Sequence, residues 1–206
     1  NGQRAAHLSK KFSQVIATDV SRSQIEKAPR KPNISYRQER AENSSLVTES
    51  VDLITVAQAI HWLDFHAFYT EARRVLKKDG IIAIIGYPLL RTEKSEINQH
   101  VLHFYKNILG KYWDPERKYV DDKYTTVPFP FEELSLPKFE MTYQWRLEEL
   151  FGYFESWSAV AHYRAKNGID PISLIRDQLE TIHPKEKYIS VHFEIIGKVG
   201  RKPTYS

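Results

Sequence analysis

Cysteine is missing from all 206 residues. Its absence excludes disulfides, thiolate nucleophiles and thiolate metal sites, and it favours a cytosolic, cytoplasmic setting. No apolar stretch approaches the ~20 residues that a membrane span requires, so no membrane association is expected. The N-terminus is polar and lacks a secretory pattern. Repeats and low-complexity tracts are also missing, as are a phosphate-binding lysine loop and a hydride-cofactor glycine signature. His61, Asp64 and His66 could be imagined as metal ligands, but their spacing fits no tight site on one helix face, and no metal is expected.

Hydrophobic residues make up 41% and charged residues 27%, which predicts one sizeable globular domain with room for a small subdomain. The net charge of +4 is small and scattered. Lys10/Lys11, Arg73/Arg74/Lys77/Lys78 and Lys185/Lys187 fall mostly where helices should end, where the helix dipole favours cations. A solvated basic surface follows, and no nucleic-acid partner is expected. Tyrosine and tryptophan (12 and 4) concentrate in the second half, which hints at a lined pocket or lid beyond the core itself.

Two apolar runs organise the first half. Val15–Thr18 ends in Asp19, and Val51–Val56 leads to Ala57, Gln58, His61 and Trp62. Both read as buried parallel strands. An acid at the carboxyl end of such a strand can accept hydrogen bonds from both hydroxyls of a ribose. Residues 1–11 read as a helix, and Ile34–Gln38 as a weaker strand. Asp64 is the expected N-cap of a helix over Phe65–Lys78, with Gly80 after its end and Ile81–Ile85 as the next strand. This β-α-β-α-β alternation predicts an α/β fold with a doubly wound, mostly parallel, Rossmann-like sheet.

The pattern changes after Tyr87-Pro88. An amphipathic helix over Glu93–Leu109 stops at Gly110, and residues 112–137 are too rich in aromatics, charge and proline for a plain connection. Phe139–Trp145 alternates like a half-buried strand. Asp170-Pro171 should cap a helix with Ile172, Ile175 and Leu179 inward. Residues 188–201 alternate again, with Ile189, Val191, Phe193 and Ile195 on one side. Two late alternating strands predict an antiparallel C-terminal edge. The expected divisions are a cofactor-binding core at 1–87, a helical lid insertion at 88–137, and the rest of the sheet with acceptor-side helices at 138–206.

The segments VIATDVS, ERAENSSL, VDLITVAQAIHWLD and RRVLKKDGIIAIIGY, in this order, resemble class I S-adenosylmethionine-dependent methyltransferases. Within that superfamily, AQAIHW, YWDPERKYVDDKY and YFESWSAVAHYRAKNGIDP resemble the trans-aconitate-methyltransferase-like group of small-molecule enzymes. The resemblance implies S-adenosylmethionine as cofactor. It matches Asp19 to the ribose-binding acid, Val20 to the residue beside the adenine, and Ala41-Glu42 to the adenine edge. Ala57 and Gln58 match the turn under the methionine portion, and Gly2 the last glycine of the loop after the family's first strand. That strand and most of its glycine-rich loop have no counterpart here. The expectation is therefore a piece of a longer protein, with a gap in the parallel sheet.

Methyl transfer needs placement more than covalent help, because the sulfonium is already activated. His61 is a candidate base for a hydroxyl or nitrogen acceptor, or else a residue that shapes the cofactor turn. Trp62 could line the methyl site or pack in the core. The acceptor candidates are Tyr87, Trp113, Arg117, Tyr119, Trp157, His162, Tyr163 and Arg164; Tyr87, Trp157, Tyr163 and Arg164 are favoured, Arg164 as a carboxylate clamp. The predicted reaction is methyl transfer to a small-molecule acceptor, possibly a carboxylate. The rivals are an RNA or protein methyltransferase, an inactive binding protein with the same fold, and a different adenosine-cofactor enzyme such as a dinucleotide dehydrogenase.

Overall fold

The first β-branched run becomes a strand because every residue from Val15 to Asp19 finds a parallel partner, from Val15 opposite Ile34 to Asp19 opposite Gln38. The computed structural model describes residues 2–203. Its elements are α1 (Gln3–Leu8), β1 (Val15–Asp19), α2 (Arg22–Glu26), β2 (Ile34–Gln38), β3 (Val51–Ala57), α3 (Phe65–Val75), β4 (Leu76–Gly86), β5 (Arg91–Thr92), α4 (Ser95–His103), α5 (Arg117–Asp121), β6 (Glu132–Leu134), β7 (Phe139–Trp145), α6 (Leu147–Glu155), α7 (Ser158–Asn167), α8 (Ser173–Ile182) and β8 (Ile189–Arg201). Strands β1 and β2 form one sheet. The other runs in the order β3-β4-β8-β5, with β6 and β7 also paired to β8. Strands β5, β6 and β7 all lie antiparallel to β8. The fold is thus α/β with a mostly parallel Rossmann-like sheet and an antiparallel C-terminal edge. Among the described residues no strand pairs with both β1 and β3.

Two compact units emerge, and they cut across the divisions read from the sequence. Among the described residues, the first comprises residues 2–83, 128–134 and 199–203; the second comprises 84–127 and 135–198. The lid region therefore supplies residues 128–134, including β6, to the first unit, and its remainder joins the second.

In the first unit, α3 buries Phe68, Ala72 and Val75 on one face, with Tyr69 beside them. Asp64 caps the helix as expected, its carboxylate accepting from the Ala67 amide at 2.9 Å. The helix stops at Val75, three residues before the expected end at Lys78. Leu76 is already extended (φ −67°, ψ 133°), and β4 begins there. The last carbonyls are taken up by other partners: Glu49 and Ser50 amides reach Arg74 and Val75, and Lys202 Nζ reaches Leu76 at 2.7 Å. Gly80 lies within the strand, next to a left-handed Asp79 (φ 61°).

In the second unit, Ile97, Phe104, Leu150, Phe154, Ile175 and Leu179 lie in one apolar core. The helix expected over 93–109 is α4 followed by a π-helical stretch at Phe104–Ile108, where the Leu109 amide bonds Phe104 at 2.9 Å. Helix α8 begins at Ser173, after a turn at Pro171-Ile172. Asp170 receives the Ile172 amide at 3.1 Å but stands outside the helix. Ile172, Ile175 and Leu179 are buried as expected. In β8 the alternation slips: Ile189, Val191 and Phe193 are buried, and Ile196 takes the place expected for Ile195. Pairing with β7 ends at Ile195, and Gly197 follows. A Cβ at Gly197 would lie 2.0 Å from the Ile84 carbonyl oxygen, so only glycine permits this approach.

Candidate active site

The carboxyl ends of β1 and β3 lie in the first unit, and each carries a residue that sequence reasoning singled out. Asp19 closes β1. One oxygen of its carboxylate accepts from the Ser21 amide at 2.8 Å, which fixes the group and leaves the other oxygen without a protein donor among the described residues. Beside it Val20 is 64% exposed, an apolar surface with no core to pack on. The Gln38 side chain holds the Val20 carbonyl at 3.1 Å. Gly2 has φ 70°, and a Cβ there would lie 2.7 Å from both Ala28 Cβ and the Tyr36 hydroxyl.

At the other strand end, Ala57 is the last residue of β3 and Gln58 turns the chain with φ 52°, an uncommon conformation for a residue with a side chain. Such turns at strand ends cluster at ligand sites. Ile60–Trp62 then forms a short 3₁₀ turn. His61 is buried, and its ring centroid stands 5.1 Å from that of Trp62, which is 54% exposed. Of the two candidates for chemistry, Trp62 is therefore the more exposed.

The Ala41-Glu42 loop is fixed from two sides. The Glu42 carboxylate, largely covered, accepts from the Asp64 amide at 3.3 Å and lies 3.4 Å from Arg40. Two residues on, Ser44 is held by the buried Glu71 of α3, which accepts from the Ser44 amide at 2.9 Å and its hydroxyl at 2.6 Å. Arg74 completes the network, donating to Glu71 at 2.7 and 2.8 Å and to the Leu46 carbonyl at 2.8 Å. The Arg74 guanidinium, followed by the Ser44 donors, holds the Glu71 pKa down to about 2 against the opposing effect of burial. Glu71 escaped the sequence reading. Its signal was an acid among the inward-facing Phe68, Ala72 and Val75, three residues before an arginine.

The favoured acceptor residues all lie in the second unit. Trp157, expected to border an acceptor, is buried in the core, 4.7 Å from Phe154 and 5.4 Å from Trp113 between ring centroids. Tyr163 packs on Tyr112 at 4.8 Å, and Tyr87 meets Phe193 edge-on at 5.1 Å. Arg164, expected as a carboxylate clamp, is already clamped within the chain. It grips Glu155 with two bonds of 2.5 and 2.6 Å and Asp170 with two of 2.8 and 3.2 Å. Those bonds use four of the five guanidinium donors, and the two carboxylates push its pKa further up. Its role is to tie α7 to the turn before α8. Among the described residues no group of three His, Asp or Glu side chains is placed to hold a metal ion.

Comparison with known proteins gives this geometry a family. A family model described as a methyltransferase domain matches residues 1–84. A protein of Dictyostelium discoideum, provisionally named a methyltransferase, is 34% identical over 98% of this chain and 79% of its own length. A solved structure from Anaeromyxobacter dehalogenans, provisionally described as a type II methyltransferase, is 35% identical with a TM-score of 0.89, over 99% of this chain and 87% of that one. A structure from Bacillus halodurans C-125, also with a provisional methyltransferase description, has a TM-score of 0.53 over 97% and 87% at 18% identity, and shares the fold. Matched along nearly its whole length at about one residue in three, the chain belongs to the class I methyltransferases.

Proposed function

We propose that this methyltransferase moves the methyl group of S-adenosylmethionine to a small-molecule acceptor bearing a carboxylate, in the cytoplasm. The observation that carries the cofactor assignment is the Asp19 carboxylate, pinned by the Ser21 amide through one oxygen and open at the other, beside the exposed Val20. Family membership implies this cofactor, and the residues present suit it. Asp19 would accept from the ribose hydroxyls and Val20 would lie against the adenine. Ala41 and Glu42 would meet the adenine edge, while Gly2, Ala57 and Gln58 would leave room for the amino-acid portion. When bound, the cofactor supplies a methyl group already activated by its sulfonium. The chain's own work is then placement and exclusion of water. The exposed aromatic ring of Trp62 would favour the cationic centre.

The acceptor class rests on the burial of His61. His61, the candidate base, is buried, which favours an acceptor that needs no proton removed; an ionised carboxylate is such an acceptor. No helix among the described residues is long and apolar enough to cross a membrane. Calorimetric titration with S-adenosylmethionine and S-adenosylhomocysteine, on the wild type and on Asp19→Ala, tests the cofactor reading. Transfer of a labelled methyl group to small organic acids, and not to their amides, tests the acceptor class.

A further inference from the structure

Arg117 opens α5 in the second unit, and its side chain is only 19% exposed. The guanidinium carbon stands 4.9 Å from the Trp113 ring centroid and 5.3 Å from that of Tyr105. Nε donates to the Tyr105 hydroxyl at 2.7 Å and, more loosely, to Asp121 at 3.4 Å. The Tyr105 hydroxyl in turn donates to Asp121 at 2.6 Å. All of this engagement runs through Nε. Among the described residues, neither Nη atom donates to a protein acceptor. The contrast with Arg164, whose fork is filled by Glu155 and Asp170, is direct.

A guanidinium fixed by two aromatic faces and one phenol has lost most of its freedom before any ligand arrives. What remains open is its outer edge, the pair of parallel N–H groups that matches a carboxylate. Burial pushes the Tyr105 phenol above its ordinary pKa, so it stays a neutral donor to Asp121 at pH 7. Asp121 is the opposing charge. It is about half exposed, so water and salt weaken its repulsion of an incoming anion.

We infer that Arg117 is the residue in this chain that recognises the carboxylate of a small organic acid. This deepens the acceptor reading above and rests on it. The competing role, in which Arg117 only staples the segment around Trp113 to α5, is an outcome of the test.

The test uses the full chain without cofactor and follows the emission of Trp113 and Trp157 during titration with succinate, citrate and benzoate, each against its uncharged amide. At least one acid should give a saturable change, with its amide about tenfold weaker or more. Arg117→Met should raise the dissociation constant for that acid by about tenfold or more, and Arg117→Lys by a smaller factor. Thermal melts show which variants are folded; if Arg117→Met is not, Arg117→Lys carries the comparison. No saturable change with any acid, or wild-type affinity in the folded variants, overturns the assignment and leaves Arg117 as a staple. Calorimetry with S-adenosylmethionine is run separately. Intact cofactor binding without acid binding removes only this inference, whereas absent cofactor binding counts against the methyltransferase reading itself.

Discussion

Glu71 keeps its charge in a place where a lone carboxylate would be expelled, because Arg74 and Ser44 supply four hydrogen bonds to it. With its pKa held at about 2, its contribution to stability is complete above about pH 4.5 and is lost as the pH falls through 2. Glu71→Gln should therefore cost about 1–3 kcal/mol at pH 7 in urea unfolding. The gap between variant and wild type should close towards pH 2; a constant gap would refute the assignment. Since Ser44 stands two residues from Glu42, the same variant should also weaken cofactor binding, measured by calorimetry. The strand-end positions of Asp19 and Gln58 were legible, since an acid or a turn residue after an apolar run is a local signal. Glu71 and the filled fork of Arg164 were not, because each depends on partners brought close only by the fold.

At the scale of elements, local patterning placed β1, β3, β7 and β8 nearly to the residue. It failed where tertiary partners overrode it. Helix α3 ends early because Glu49, Ser50 and Lys202 take its last carbonyls, and nothing in residues 76–80 announces that. The alternation in β8 slips at Ile195-Ile196, where the pairing with β7 runs out just before Gly197. That glycine yields a sharp prediction. A Cβ placed 2.0 Å from the Ile84 carbonyl cannot be relieved by a side-chain rotation, so Gly197→Ala should lower stability by about 2 kcal/mol or more. A urea midpoint unchanged from the wild type would contradict the close approach of the two backbones.

For the molecule as a whole, the parallel β-α-β arrangement and the antiparallel edge followed from the alternation of apolar runs, but the division into two units did not. Residues 128–134 and 199–203 fold with the N-terminal unit although both are remote in sequence. The modest charge of +4 also belongs to this scale. It predicts only weak, strongly salt-dependent RNA association, essentially gone by about 150–200 mM salt. Tight RNA retention at that salt, in a filter-binding assay, would favour a nucleic-acid acceptor instead. The most direct measurement is calorimetry of S-adenosylmethionine binding to the wild type and to Asp19→Ala. Saturable binding of one cofactor per chain to the wild type, weakened about tenfold or more in the variant, is the predicted result. No binding, or equal affinity in both proteins, would contradict the assignment of this strand edge as the cofactor site.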